Sequence, residues 1–198
     1  MKKVNLHIII FFFPLIIYSQ QIDIGILKEI NLSRDKQYDG IFRAITDSAA
    51  PISFGVPILL LGIGAIRKYP ISRNYSLSIL ASVLSAAIIA SILKYSLNWP
   101  RPFITYSFIE KVTSGGSPTF PSGHTTDVFA FATSVSIAYP KWYIIVPVYV
   151  WAGAVGYSRM DLGVHYPSDV LMGAIIGISM AYLCYKGQQR LINKKPEQ

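Results

Sequence analysis

Two histidines in short polar segments each have a carboxylate about one helical turn further along the chain. His165 precedes Asp169 by four residues, and His124 precedes Asp127 by three. A carboxylate that accepts a hydrogen bond from one imidazole nitrogen fixes the tautomer and makes the other nitrogen a better nucleophile. Pro167 suits the first turn of a helix, so His165 is predicted just before a helix and Asp169 within its first turn. The simpler interpretation is that Asp169 only complements the helix dipole.

The segment FPSGHTTD, residues 120–127, is typical of a helix start. Ser122 is a suitable N-cap, and the amides of Gly123 and His124 would then lie at the positive end of the helix dipole. Such an end binds phosphate readily, and glycine lets the backbone approach an oxyanion. His124 would lie beside that anion as a proton donor. The plain alternative is an N-cap followed by a surface histidine.

Three cationic side chains accompany these segments. Lys94 ends a long apolar run, and Arg101 follows it between two prolines. Arg159 precedes His165 by six residues. The planar guanidinium of an arginine matches phosphate oxygens, whereas Lys94 alone could simply extend to the membrane interface. Cations, helix N-termini and two histidines together provide charge neutralisation, positioning, a nucleophile and an acid for phosphoryl transfer. The sequence has no carboxylate-rich cluster that would bind a metal ion, and its single cysteine, Cys184, cannot form a cysteine-based metal site. We therefore expect no metal and no cofactor.

The elements that would position these groups are long and apolar. Hydrophobic residues make up 52% of the 198 and charged residues only 14%, which is typical of a membrane protein. The sequence therefore predicts an all-α, polytopic membrane helix bundle of five transmembrane helices, or six with the N-terminal run. The net charge of +8 is spread between the apolar runs, which argues against nucleic acid as a partner. The five predicted helices cover about 49–66, 75–93, 125–139, 142–157 and 170–185.

The basic residues predict how this bundle is oriented. Eight of them lie in alternate connections or after the last apolar run, and the positive-inside rule places these segments in the cytoplasm. The other two connections, 94–124 and 158–169, then share the extracytoplasmic face and carry nearly all the groups described above. We expect the inner (cytoplasmic) membrane, with the site on the periplasmic face. The basic residues of the cytoplasmic connections are Arg67, Lys68, Arg73, Lys141, Lys186, Arg190, Lys194 and Lys195.

The first 48 residues differ from the rest of the chain. Residues 1–19 have a basic pair, a short apolar run and a small residue at position 19, the layout of a signal peptide. An uncleaved first transmembrane helix is the alternative. Residues 20–48 mix apolar and charged positions, which predicts an extracytoplasmic amphipathic segment on the membrane surface. Residues 49–198 would then form the membrane-embedded domain.

The polar segments resemble the three-part signature of the type 2 phosphatidic acid phosphatase superfamily. KxxxxxxRP, PSGH and SRxxxxxHxxxD are all intact, at 94–102, 121–124 and 158–169. The superfamily includes membrane lipid phosphatases, soluble acid phosphatases and vanadium haloperoxidases. The resemblance implies that His165 is a nucleophile forming a phosphohistidine, oriented by Asp169, and that His124 protonates the leaving oxygen; Asp127 would at most support His124. It also implies a set of phosphate-binding residues, namely Lys94, Arg101, Ser122, Gly123 and Arg159.

The apolar segments favour the membrane branch of this superfamily. The expected function is metal-independent hydrolysis of a phosphomonoester or diphosphate on a membrane lipid. Candidates are phosphatidylglycerol phosphate, phosphatidic acid, undecaprenyl diphosphate and a lipid A phosphate, so the partners are a phosphorylated lipid and the bilayer. The alternatives are a broad-specificity acid phosphatase and a non-enzymatic phospholipid-binding membrane protein. Gly115, Gly116 and Ser117 favour a mobile flap near the site.

Overall fold

A computed structural model describes residues 21–67, 70–116 and 118–193 of the chain. The expected signal peptide, residues 1–19, lies outside these ranges. All regular secondary structure in the described residues is helical, so the predicted all-α class is confirmed. The helices are α1 (21–33), α2 (Asp39–Asp47), α3 (Val56–Ile66), α4 (Pro70–Leu97), α5 (Pro102–Thr105), α6 (Gly123–Ala138), α7 (Trp142–Asp161) and α8 (Pro167–Asn193).

All five apolar runs are helical, but they differ in length. Within the described residues, three helical stretches are long and apolar enough to cross a membrane: Lys36–Ile66, Arg73–Thr105 and Pro167–Arg190. By contrast, α6 has 16 residues. At about 1.5 Å per residue it extends about 24 Å, short of the ~30 Å hydrocarbon core. The expected total of five transmembrane helices therefore stays a prediction.

The first of these stretches begins earlier than the sequence predicts. The amphipathic segment expected at 20–48 divides into α1, which is separate, and α2, which continues towards α3. A π-helical turn, Pro51–Gly55, joins α2 to α3. Proline has no amide hydrogen for the regular helical hydrogen bond, and a π-turn is one way to accommodate such an interruption. The expected domain boundary at residue 48 thus falls within a nearly continuous helical stretch.

Helix α6 lies at the centre of the bundle, packed against α4, α7 and α8. Eight of its 16 residues are buried. Two glycines of α8 allow the closest of these contacts, because small residues let helix backbones approach. A Cβ atom on Gly173 would lie 2.8 Å from the carbonyl oxygen of Ser122, and one on Gly177 would lie 2.5 Å from that of Thr126. The start of α8 is therefore held directly against the start of α6.

One end of the bundle, which we call the site end, collects the polar segments. Helices α4 and α7 finish there, and α6 and α8 begin there. The Ser122 amide donates to the Asp169 carbonyl oxygen over 3.1 Å, joining the two helix starts. Helix α4 ends where Asn98 adopts a positive φ of 49° shortly before Pro100, which cannot continue a helix. Lys94 in the last turn of α4 thereby reaches the site end.

Candidate active site

His165 and Asp169 form a buried pair at the site end. His165 Nδ1 lies 3.2 Å from Asp169 Oδ2, and both residues are 1% exposed. Helix α8 begins at Pro167, which confirms the predicted position of the pair around a helix start. Because Nδ1 faces the carboxylate, the ring proton belongs on Nδ1 and the lone pair on Nε2. The imidazole therefore has the tautomer that a nucleophilic nitrogen requires.

The surroundings of His165 keep the ring neutral. Burial holds the pKa of His165 well below its usual range, and the nearby cations Arg101, Arg159 and Lys94 lower it further. A neutral imidazole keeps the lone pair that would attack phosphorus. Arg101 Nη1 lies 3.3 Å from Nε2 and donates to the Val164 carbonyl oxygen over 2.8 Å. A guanidinium is thus fixed beside Nε2 of His165.

The Asp169 carboxylate is held by more than the imidazole. Its Oδ2 accepts hydrogen bonds from the Tyr166 amide over 2.9 Å and from the Thr119 hydroxyl. Thr119 Oγ1 also lies 3.3 Å from His165 Nδ1, and Thr119 is 1% exposed. The sequence-based prediction missed Thr119, which is 46 residues from His165 in the chain. It lies two residues before the PSGH motif, and its residue type alone carries no signal of this role.

The PSGH segment starts α6 as predicted. Ser122 is the N-cap, and its hydroxyl accepts from the Thr125 amide and from the Thr125 hydroxyl, the latter over 2.9 Å. A Cβ atom on Gly123 would meet no atom within 4 Å, so the space beside this glycine is open. His124 lies close enough to Arg159, Arg101 and Lys94 for their charges to interact. The first turn of α6 thus faces the same cations that surround His165.

Two of the cations donate to backbone carbonyl groups of the loop between α5 and α6. Lys94 Nζ donates to the carbonyl oxygens of Pro118, over 2.6 Å, and Thr119, over 3.2 Å. Arg159 Nη2 donates to the Ser114 carbonyl oxygen over 3.3 Å. Phosphate oxygens accept hydrogen bonds from the same groups, so these contacts resemble those that a bound phosphate would make.

Arg159 is anchored from the opposite side by Thr46 of α2. Its Nη1 donates to Thr46 Oγ1 over 2.8 Å, and both residues are almost fully buried. Its Nε is buried and has no hydrogen-bond partner within the described part of the chain. The Nε N–H of the arginine can therefore donate to a further acceptor. Thr46 was also missed by the sequence-based prediction, since it is 113 residues from Arg159.

The structure brings the predicted site residues to the site end. Direct contacts or electrostatic interactions link His165, Asp169, His124 and the three cations, and the Ser122 amide is bonded to Asp169. Asp127 differs: its Oδ1 is buried without a hydrogen-bond partner among the described residues. The arrangement can neutralise a phosphate, present a lone pair to it and supply a second imidazole for proton transfer.

A family model described as the PAP2 superfamily matches residues 75–193, more than half of the chain. The chain belongs to the PAP2 superfamily. The matched region begins inside α4 and includes every residue predicted for the site. It leaves out α1, α2 and α3, which include Thr46.

Two curated relatives belong to membrane lipid metabolism by name. An undecaprenyl-diphosphatase from Sulfolobus acidocaldarius is 30% identical over 131 residues, covering 64% of this chain and 62% of the relative. A lipid A 4'-phosphatase from Bacteroides thetaiotaomicron is 33% identical over 88 residues, covering 44% of this chain and 39% of the relative. The chain thus spans between about two fifths and three fifths of the length of these relatives.

Two solved structures resemble the fold over most of its length. LpxE from Aquifex aeolicus has a TM-score of 0.71 at 26% identity, covering 83% of this chain and 95% of that chain. A transmembrane PAP2-type phosphatidylglycerolphosphate phosphatase from Bacillus subtilis has a TM-score of 0.72 at 25% identity, covering 91% and 90%. These similarities confirm a membrane-protein fold of the PAP2 type.

Proposed function

We propose that this PAP2 protein hydrolyses a phosphomonoester or diphosphate of a membrane lipid without a metal ion, through a phosphohistidine on His165. The observation that carries the proposal is the buried His165–Asp169 pair beside Arg101, with Nδ1 3.2 Å from Asp169 and Nε2 3.3 Å from the guanidinium. The superfamily match and the lipid phosphatase names of the relatives support the same reaction.

In the first step, the Nε2 lone pair of His165 attacks phosphorus as the bond to the leaving oxygen breaks. Burial and the nearby cations lower the pKa of His124 to about 4, so its protonated form depends on the negative charge of the bound phosphate. The protonated His124 gives its proton to the leaving oxygen, and the lipid leaves as an alcohol or as a monophosphate. The imidazole becomes positively charged, and Asp169 stabilises this charge through the Nδ1 hydrogen bond. Lys94, Arg101 and Arg159 neutralise the equatorial phosphate oxygens, with the α6 amides beyond Ser122.

In the second step, water attacks the phosphohistidine. His124, now neutral, accepts a proton from the water, and the N–P bond breaks to release inorganic phosphate. Both histidines return to their starting protonation states, so atoms and charges balance over the cycle. The three side-chain cations take the part that a metal ion has in other phosphatases.

The test uses the purified full chain in detergent micelles with EDTA present. Its substrates are undecaprenyl diphosphate, lipid A, phosphatidylglycerol phosphate and phosphatidic acid. We expect phosphate release from at least one of them, and the kcat/KM values rank the four. Rapid quenching with a ³²P-labelled substrate should trap protein-bound label that is stable to alkali and labile to acid. His165→Asn should lose both signals, with release at least about a thousandfold slower.

His124→Asn is the matched control, since it replaces the other site histidine by the same residue. It should still form protein-bound phosphate from p-nitrophenyl phosphate, whose leaving group needs no proton, but should act slowly on a lipid. Undiminished release by His165→Asn, or complete loss of release on adding EDTA, would contradict the proposed mechanism. Binding of a phosphorylated lipid with no release in a single turnover would instead favour a non-enzymatic binding protein.

A further inference from the structure

Helix α1 contacts both flanks of the loop that carries His165. We call residues 162–166, between α7 and α8, the His165 loop. Asp23, near the start of α1, accepts two hydrogen bonds from Ser168: Oδ1 from its amide over 2.9 Å and Oδ2 from its hydroxyl over 2.5 Å. Ser168 lies in the first turn of α8 and directly precedes Asp169. The carboxylate therefore caps the helix that presents Asp169.

Asn31, two turns further along α1, contacts the other flank. Its Nδ2 donates to the carbonyl oxygen of Asp161, the last residue of α7, over 2.8 Å. The same amide group pairs with the Glu110 backbone, donating to its oxygen over 3.1 Å and accepting from its N–H over 2.8 Å. The loop passes so close that a Cβ atom on Gly163 would lie 2.9 Å from Asn31 Nδ2. One buried side chain thus satisfies three backbone groups around the loop.

These contacts come from a single face of α1. Asp23, Leu27 and Asn31 are spaced by four residues, and the last two are 0% exposed. Residues four apart lie on one face of a helix, so this face is the one turned towards the His165 loop. Ile22 and Ile26 are 60% and 46% exposed. The contact face of α1 thus combines two polar side chains with a buried leucine, whereas isoleucines and charged residues such as Glu29 are exposed on the rest of the helix.

We propose that Asp23 and Asn31 are positioning residues that hold the His165 loop between α7 and α8, so that His165 Nδ1 stays in contact with Asp169. The inference rests on the proposed function of His165 as nucleophile. A movement of about 1 Å at a reacting group can slow a reaction by about a hundredfold, and here it would take Nδ1 out of hydrogen-bonding distance of Asp169. The family match begins at residue 75, so both residues lie outside it.

The test compares two variants that each neutralise one carboxylate of α1. Asp23→Asn weakens the acceptor pair for Ser168, whereas Glu29→Gln makes the same chemical change at an exposed position. Both are assayed as the full chain in detergent, on whichever lipid the wild type hydrolyses. We expect Asp23→Asn to lower kcat by about tenfold with KM changed less than about twofold, and Glu29→Gln to match the wild type. Because kcat is normalised to the folded protein, a contact that only supports folding would leave both kcat and KM at their wild-type values.

A double-mutant cycle tests the route through Ser168. If Asp23 acts through Ser168, Asp23→Ala and Ser168→Ala together should lower kcat no more than about twofold beyond Asp23→Ala alone. Independent effects would multiply and overturn the inference. Asn31→Asp should also lower kcat, because a carboxylate cannot donate to the two carbonyl groups that Asn31 holds.

The outcomes separate this inference from the proposed function. Equal kcat values for Asp23→Asn and Glu29→Gln in an active protein would overturn the positioning role alone. A wild-type protein that releases no phosphate from any of the four lipids would contradict the proposed function instead. If Asp23→Asn reduces the yield of folded protein, Ser168→Ala takes its place, since it keeps the backbone bond to Asp23 and removes only the hydroxyl. An unchanged kcat for that variant would also overturn the inference.

Discussion

Single side chains decide how firmly the His165–Asp169 pair is held, and Thr119 is the least obvious of them. Its hydroxyl is buried between the imidazole and the carboxylate and donates to Asp169 Oδ2. A buried carboxylate that loses a donor bears a cost of about 1–3 kcal/mol, because no water replaces the missing hydrogen bond. The pair therefore depends on a residue that belongs to neither of the histidine motifs.

Replacing Thr119 by Val and by Ser separates the hydroxyl from the shape of the side chain. Thr119→Val keeps the volume and removes the donor, so we expect kcat to fall by about tenfold. Thr119→Ser keeps the donor and should stay within about threefold of the wild type. Phosphate release at saturating substrate measures both variants. Equal kcat values for the two variants would show that the hydroxyl does not support Asp169.

At the scale of elements, the site depends on a loop lying against helix ends. The connection between α5 and α6 supplies the carbonyl groups that Lys94 and Arg159 contact. Gly115 of this connection lies directly against Arg101. A Cβ atom there would be 2.7 Å from Arg101 Nη1, whereas one on the neighbouring Gly116 would meet nothing within 4 Å. The glycine pair was predicted to form a mobile flap, and the structure gives Gly115 a steric role.

Two alanine substitutions in this connection should therefore have unequal effects. Gly115→Ala must displace the Arg101 guanidinium or the loop, and we expect kcat/KM to fall by about tenfold because a cation that we propose to bind phosphate moves. Gly116→Ala makes the same change one residue away and should leave kcat/KM within about twofold. Steady-state assays on the preferred lipid measure this difference. Similar losses in both variants would indicate that the contact of Gly115 with Arg101 is unimportant.

At the scale of the whole molecule, the alternation of helix directions places every reactive group at the site end. The positive-inside pattern predicts that this end lies outside the cytoplasm, and we propose that the site faces the periplasm. A lipid phosphate would then reach the pocket by diffusing within the outer leaflet of the membrane. This orientation refers to the three helical stretches of the described residues that are long and apolar enough to cross a membrane.

Cysteine labelling tests the orientation. With the single cysteine removed by Cys184→Ser, new cysteines are introduced at exposed positions of the two ends, Ser107→Cys at the site end and Lys141→Cys at the opposite end. A membrane-impermeant maleimide should label Ser107→Cys in intact spheroplasts and Lys141→Cys only after lysis. Phosphatase activity confirms that each variant is folded. The reverse labelling pattern would place the site in the cytoplasm.

The sequence by itself determined the local features of this protein. Apolar runs predicted five of the helices, and the N-cap at Ser122 and the proline at 167 marked where two of them begin. The four-residue spacing of His165 and Asp169 favours their contact, because a residue just before a helix and one in its first turn lie close together when the intervening loop is held in place. Such features depend mainly on nearby residues, so they can be predicted from the sequence without knowledge of the tertiary structure.

Only the tertiary structure decided which distant residues support that pair. Thr46 contacts Arg159 across 113 residues of the chain, and Thr119 contacts Asp169 across 50. Asn31 contacts Asp161, at the edge of the His165 loop, across 130 residues. The first helical stretch long enough to cross a membrane also begins earlier than predicted, at Lys36, because α2 continues towards the apolar α3. The periodicity and spacing of residues in the sequence do not predict such contacts, because they arise only when helices pack and bring their ends together. The His165–Asp169 pair is local in the sequence, whereas the residues that hold it in place are determined by packing.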